Sequence, residues 1–356
     1  MPPQLTDLFG LYIHWPYCVS KCPYCDFYSC VSKKIDEKSL LDAYVRDLSL
    51  FTENRPLTSI FFGGGTPSLM SATFLSRLME KIYAHFKTAE NIEISMEANP
   101  NSLTREKMAA FKESGINRLS IGVQSLNDKD LQFLGRSHNK KQAIVAIEDA
   151  KFLFKNVSAD FIYARPGQTP GDWEKELEDI LSLDLSHYSL YQLTIEEGTP
   201  FYSKNLKMPT EEESVLLYEM TENRLSCTHP SYEISNYAKP GYECRHNLTY
   251  WSGHDYIGIG PGAHGRIGRT ETSGAKNVLK WALEGLSFSK LTPAQRDLEK
   301  LIMGLRLTRG IPAGKISAEK IKKAESYGWI TYDGEHIRPT KAGRLVLNQL
   351  ILLLSD

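Results

Sequence analysis

The chain has 356 residues, 41% of them hydrophobic and 24% charged, which suits a globular protein with one large domain and a smaller one. Its 42 lysines and arginines nearly cancel its 43 aspartates and glutamates, so no global field draws it to nucleic acid or to an acidic bilayer. Six cysteines, three of them clustered, exclude a disulfide scaffold and fit a reducing compartment.

The N-terminal residues Met-Pro-Pro-Gln-Leu-Thr-Asp carry neither a signal nor a transit pattern. The chain is therefore expected in the cytoplasm. Leu11-Tyr12-Ile13 reads as a strand that empties into a loop bearing Cys18, Cys22 and Cys25. Positions i, i+4 and i+7 would share one helix face, but Pro16 and Pro23 argue against a regular helix there. A helix follows over 36–53. Ser59-Ile-Phe-Phe is a short buried strand running into Gly63-Gly64-Gly65-Thr66-Pro67. Next come a helix over 71–87, a strand over 91–97, and a helix near 104–114 that Gly115 caps. Residues 118–124 form the fourth strand, helical stretches run to about 154, and 157–163 is the fifth. A helix near 172–183 leads to the sixth strand, 187–195. Strand then helix, six times over, implies a parallel sheet. Six units are too few for a closed eight-fold barrel, so an α/β partial (β/α)6 barrel of TIM type is expected.

A helix with an acidic start covers 211–224, and 230–268 is rich in glycine, tyrosine and histidine. Within it, residues 258–265 have the glycine density of a close-packed loop. Amphipathic helices near 295–307 and 316–326, a hairpin around Asp333-Gly334, and a last helix over 340–353 give a winged-helix-like order. The expected division is a core over 1–205, a connecting segment over 206–290 and a C-terminal module over 291–356. The longest apolar run, 345–354, is about half of a bilayer span, so no membrane-spanning helix is expected. Lys315, Lys320, Lys322 and Lys323 read as a solvated helix face, not a nucleic-acid surface.

The chemistry gathers at the carboxyl ends of the strands, where parallel α/β folds place their working residues. Those ends carry the cysteine loop, the glycine run, Glu97, Gln124, Asp160 and 194–196. Three thiolates are one short of a closed tetrahedral metal site. Iron–sulfur clusters are commonly held by cysteine, and a [4Fe–4S] cluster with three protein ligands keeps one iron open. A zinc site completed by His14, or unrelated core thiols, are the alternatives.

The spacing C-x3-C-x2-C with Tyr24 before the last cysteine, followed by the glycine run, resembles the radical S-adenosylmethionine (SAM) enzymes. Within them the chain resembles the oxygen-independent coproporphyrinogen III oxidase family, and its heme-chaperone branch. The resemblance implies a [4Fe–4S] cluster on Cys18, Cys22 and Cys25, and SAM held by the glycine motif (Gly64, Gly65, Thr66). Tyr12, Tyr24, Glu97, Gln124, Arg136 and Asp160 match SAM-site positions of the family. The stretch from Asp160 to Pro166 departs from the family's common pattern at Ala164 and Arg165.

His246-Asn247-x-x-Tyr250-Trp251 matches a motif that the chaperone branch links to heme. Histidine ligates heme iron, and tyrosine and tryptophan offer flat faces to a macrocycle; Cys244 is an alternative ligand. Phe27 stands where the oxidases carry a fourth cysteine, and the chain lacks their longer N-terminal extension. The resemblance thus implies a heme-binding protein that delivers heme to apo-hemoproteins, respiratory ones among them, with an electron donor for the cluster. The alternative it implies is the oxidase, which removes propionate carboxyls by SAM-derived radical chemistry. No catalytic residue beyond the cluster ligands is singled out.

Overall fold

The computed structural model describes residues 7–32 and 34–355. In chain order the strands are β1 (Phe9–Trp15), β2 (Tyr17–Cys18), β3 (Cys30–Val31), β4 (Leu57–Gly64), β5 (Thr88–Ala98), β6 (Arg118–Gln124), β7 (Asn156–Tyr163) and β8 (His187–Gln192). Then come β9 (Asn236–Ala238), β10 (Asp255–Ile259), β11 (His264–Ile267), β12 (Thr270–Gly274) and β13 (Leu286–Lys290). One sheet of 11 strands runs β13-β12-β11-β10-β1-β4-β5-β6-β7-β8-β9. Its middle, β1 and β4 to β8, is parallel throughout, as the strand–helix rhythm requires.

The helices between these strands start where short polar side chains catch free backbone amides. Asp36, Ser71 and Thr104 each accept an amide from three residues on. Asn139 and Thr169 form reciprocal capping boxes with Gln142 and Asp172. Gly115, with φ +106°, follows the helix Arg105–Glu113 as expected of a C-terminal cap.

The two faces of the sheet differ because strand side chains alternate. Ile94 and Met96, Leu119 and Ile121, Val157 and Ala159 face the helices and join one large apolar core with Leu75, Ile147 and Trp173. The intervening positions are polar and still buried: Glu93 and Ser95, Arg118 and Ser120, Ser158, then His187 and Ser189. They line the inside of the partial barrel. Such an interior costs stability unless its groups are paired, and that pairing positions the site.

Two features exceed the sequence reading. Residues 206–290 do more than connect, since they supply five of the eleven strands. Among these, β10 lies parallel to β1, β11 to β13 fold back antiparallel, and β9 closes the far edge. The sixth strand also stops at Gln192, short of 195.

The C-terminal residues form helices Pro293–Gly304 and Ala318–Ser326 and a small antiparallel sheet of β14 (Ile311–Pro312), β15 (Ile330–Tyr332) and β16 (His336–Pro339). The last helix, expected unbroken, divides at Val346 into Lys341–Leu345 and Leu347–Ser355. This part has its own apolar cluster, including Leu305, Ile321, Ile330, Ile337 and Leu350. Among the described residues no helix is long and apolar enough to cross a membrane.

Candidate functional site

The cysteine loop leaves β1 at Pro16 and is irregular, as its prolines dictate. Its base is closed by β2 pairing with β3 and by the Cys30 amide donating to the Pro16 carbonyl at 2.7 Å. Its far side is pinned by the Phe201 amide donating to the Pro23 carbonyl at 2.9 Å. Gly135 (φ +68°) lies so close that a Cβ there would sit 2.7 Å from the Pro23 ring.

The glycine run locks onto this loop. Gly65 N–H donates to the Trp15 carbonyl at 2.7 Å, and Thr66 N–H to the Tyr17 carbonyl at 2.8 Å. A Cβ on Gly65 would lie 2.6 Å from the Tyr17 carbonyl oxygen and 3.1 Å from the Cys18 sulfur. Gly64 holds φ +107°, a region that favours glycine, and its amide donates to Glu97 at 3.2 Å.

Cys18, Cys22, Cys25, Tyr24, Gly64, Gly65, Thr66, Glu97, Gln124, Arg136 and Asp160 all line one cavity of about 360 Å3. It opens at the carboxyl ends of the parallel strands. Eleven residues expected at the cluster and SAM site therefore meet in one place. Tyr12 does not join them. Its side chain points into the barrel below the cavity floor, where its hydroxyl meets His14 Nδ1 at 3.0 Å.

Around the cavity the polar groups are cross-linked. Arg136 donates to the Cys22 sulfur at 3.4 Å and to the Gly122 carbonyl at 2.7 Å, and it also bonds the Asn99 side chain. Asn99 in turn donates to the Thr66 hydroxyl at 3.1 Å, and that hydroxyl donates to the Cys18 sulfur at 3.5 Å. Gln124 holds φ +74° at a register shift between β6 and β7, a strained backbone of the kind that gathers at functional sites. Burial, reinforced by the nearby Asp160, pushes the Glu97 carboxyl up to about 8. Asp160 is itself raised by burial, against hydrogen bonds from Ser189 and Ser120 and the charge of Arg118.

Three thiols around one cavity, with a glycine backbone beside them, form a donor set that suits an iron–sulfur cluster. Among the described residues no three or more His, Cys, Asp or Glu side chains are gathered closely enough for one metal ion. In a cubic cluster each cysteine binds a different iron, so the sulfurs stand apart. His14 does not complete a zinc site, since its ring nitrogens meet the Tyr12 hydroxyl and the Tyr28 carbonyl (2.9 Å). Phe27, at the fourth-cysteine position, is exposed at the cavity mouth.

The departure at Ala164 and Arg165 has a structural reason. Arg165 turns away from the cavity into a buried pairing with Glu176, and it reaches Asp130 at 2.8 Å. The pocket is untouched.

The second motif lies elsewhere. Helix Arg245–Trp251 closes the opposite, amino-terminal end of the barrel. Glu93 caps it from β5, accepting the Arg245 amide at 2.9 Å and the His246 amide at 3.1 Å. His246 has 0% exposure. Its Nδ1 meets the Ser59 hydroxyl at 2.9 Å, its Nε2 meets the Tyr250 hydroxyl at 2.6 Å, and its ring stacks on Phe61.

Both ring nitrogens of His246 are thus engaged within the fold, and an iron at either would have to displace Ser59 or Tyr250. Cys244, the alternative, is also fully buried, with its sulfur 3.5 Å from Glu93 and its thiol pushed up to about 12. Asn247 and Tyr250 are half-buried on the same short helix, and Tyr250 packs edge-on to Tyr256 at 4.4 Å. Trp251 lines a cavity, a separate one shared with the C-terminal part.

Sequence reasoning missed Asn99, Glu93 and Arg118. Arg118 lies at the start of a buried strand, and a charged residue in that position was the available signal.

Residues 12–180 match the model of the Radical SAM superfamily, and 291–346 match the HemN C-terminal domain. The heme chaperone HemW of Buchnera aphidicola subsp. Schizaphis graminum is 36% identical over 370 residues, covering 98% of each chain. The HemW of Bacillus subtilis is 38% identical over 335 residues, covering 89% of this chain and 86% of that one. The HemW of Escherichia coli is 33% identical over 367 residues, covering 97% of each. Among solved structures, the radical SAM enzyme coproporphyrinogen III oxidase (HemN) from Escherichia coli matches 99% of this chain and 91% of its own at TM-score 0.83 and 20% identity, a likeness of fold. Full-length similarity at these identities places the chain in the heme-chaperone HemW family of radical SAM proteins.

Proposed function

We propose that the protein binds heme and hands it to apo-hemoproteins, respiratory ones among them, in the cytoplasm, while its core holds a [4Fe–4S] cluster and SAM. The observation that carries the core of this reading is the convergence of Cys18, Cys22 and Cys25 with the Gly64–Thr66 backbone on one cavity. Full-length similarity to proteins named heme chaperones supports the rest.

In this reading Cys18, Cys22 and Cys25 would hold the cluster, and with only three protein thiolates it would keep a position open to SAM. When bound, the cluster supplies one electron at a time, from a separate donor, to the sulfonium. The protein's own residues do the positioning. Gly64 and Gly65 let backbone approach the ligand, Glu97 turns its carboxyl group toward the ligand's amino group, and Arg136 fixes Cys22. Tyr24, Gln124 and Asp160 complete the wall. Tyr12 acts from beneath, through His14. The core over 1–205 and the segment over 206–290 act together through their shared sheet, and the module over 291–356 faces the cargo.

The oxidase reading shares the cluster and SAM site. Phe27 weighs against it, since the position of a fourth thiol is apolar and exposed. The test is direct. The anaerobically reconstituted protein should bind hemin with a Soret band and pass it to an apo-hemoprotein. With coproporphyrinogen III, SAM and a reductant it should form no protoporphyrinogen; sustained turnover there would overturn the chaperone reading.

A further inference from the structure

A heme carrier needs a seat for the macrocycle, and the cysteine cavity is a poor one. At about 360 Å3 it has room for little beyond a cluster and its ligand. The barrel base is closed, because His187 is fully buried between Ser158 (2.7 Å) and Tyr232 (2.9 Å) and His246 is sealed as described. The polar cleft around Arg165 already spends its charge on Glu176 and Asp130.

One large cavity remains, of about 1050 Å3, between helix Arg245–Trp251, helix Pro293–Gly304 and the small C-terminal sheet. This is at the upper end of the ~300–1,000 Å3 that small-molecule sites occupy.

Its chemistry is specific. Trp251, Leu298, Leu301, Leu307, Ile311 and Leu354 supply apolar wall. Lys300, Arg309, Lys315, Lys320 and Arg338 bring five cations to it. Lys315 is paired with Asp297 and Arg338 with Asp333, each at 2.7 Å, but both pairs are exposed and of the weak kind that an incoming carboxylate can exchange, unlike the buried pairs of Arg165. Two imidazoles also line it, His254 directly after the barrel-closing helix and His336 at the start of β16. An apolar slot with a flat indole, a cationic rim and an imidazole matches a flat, apolar macrocycle that carries two carboxylates and a central iron.

Resting on the heme-carrier reading above, we propose that this cavity is the heme seat. The macrocycle lies against Trp251 and Leu301, the propionates meet Lys315, Lys320 and Arg338, and the iron takes His336. The matched motif would then act through its last residue. His246 holds the helix and Trp251 touches the cargo.

The test titrates the full-length, reconstituted protein with hemin and, separately, with iron-free protoporphyrin IX. His336→Ala should shift the Soret band and weaken hemin at least ~10-fold while leaving protoporphyrin within about twofold, since only the iron loses a ligand. Lys315→Glu/Lys320→Glu should weaken both ligands ~10-fold, since both carry propionates. Lys315 is highly exposed, so this variant keeps the fold and decides the matter if the histidine variant does not fold. Hemin quenching of indole emission should fall in Trp251→Phe by more than the one-in-five share that five tryptophans would give. If the parent protein binds no hemin, the heme-carrier reading itself fails. If it binds hemin and both variants bind like the parent, the reading stands and this seat is wrong.

Discussion

Replacing His246 by alanine separates a buried strut from an accessible iron ligand. The substitution opens a cavity where the ring packed on Phe61 and Tyr12, which for large-to-alanine changes costs ~2–5 kcal/mol. It also strands the Ser59 hydroxyl, adding ~1 kcal/mol. A loss of about 4 kcal/mol at pH 7.5 follows. The histidine makes this loss depend on pH. Burial, helped by Arg118, lowers its folded pKa from 6.5 to about 3. Between those values the unfolded chain binds a proton that the folded one refuses, so the parent protein loses stability as pH falls from 6.5 toward 3. At pH 5 that loss is ~2 kcal/mol, and the alanine variant escapes it. Denaturant titrations read through barrel tryptophan emission should therefore show the gap between parent and variant shrinking from about 4 to about 2 kcal/mol between pH 7.5 and pH 5. A cost under about 1 kcal/mol at both pH values, typical of an exposed side chain, would refute the buried-strut argument.

Other changes read the upper cavity. Gly65→Ala drives a methyl into the Tyr17 carbonyl and the Cys18 sulfur; iron incorporated on reconstitution should drop by half or more, measured by ferrozine assay. Glu97 titrates near 8 when folded against 4.5 when free, so SAM-free protein loses stability as pH rises through that window. Glu97→Gln should accordingly gain roughly 4 to 5 kcal/mol over the parent at pH 8.5 and almost nothing at pH 4.5, by denaturant titration. Arg136→Lys cannot serve Asn99, Gly122 and Cys22 together; equilibrium dialysis should show SAM affinity reduced ~10-fold, about 1.4 kcal/mol.

The parallel core and the upper cavity were legible because their signals are local. The strands of the parallel core are announced by buried apolar sets such as Ile94 and Met96 or Leu119 and Ile121. Cys18, Cys22 and Cys25 sit within eight residues, so their meeting needed no knowledge of the fold. The strands of 236–290 were not legible. Thr270–Gly274 contains no large apolar residue, and Leu286–Lys290 is mostly exposed, so neither shows a buried period. The burial of His246 was equally hidden, since its partners Ser59 and Phe61, and the Glu93 that caps its helix, lie some 150 or more positions away. The Arg118 charge inside the barrel had a visible residue but no visible partner. The large C-terminal cavity has walls from four separate elements, and no spacing rule joins them.

The central claim is that Cys18, Cys22 and Cys25 hold an iron cluster with one open corner. Iron and acid-labile sulfide should be counted in anaerobically reconstituted protein and in Cys22→Ser. About four of each per chain in the parent, with visible absorption that changes when SAM is added and is lost in the serine variant, is the predicted result. Near-zero iron and sulfide in the parent, or a serine variant with an unchanged spectrum, would contradict it.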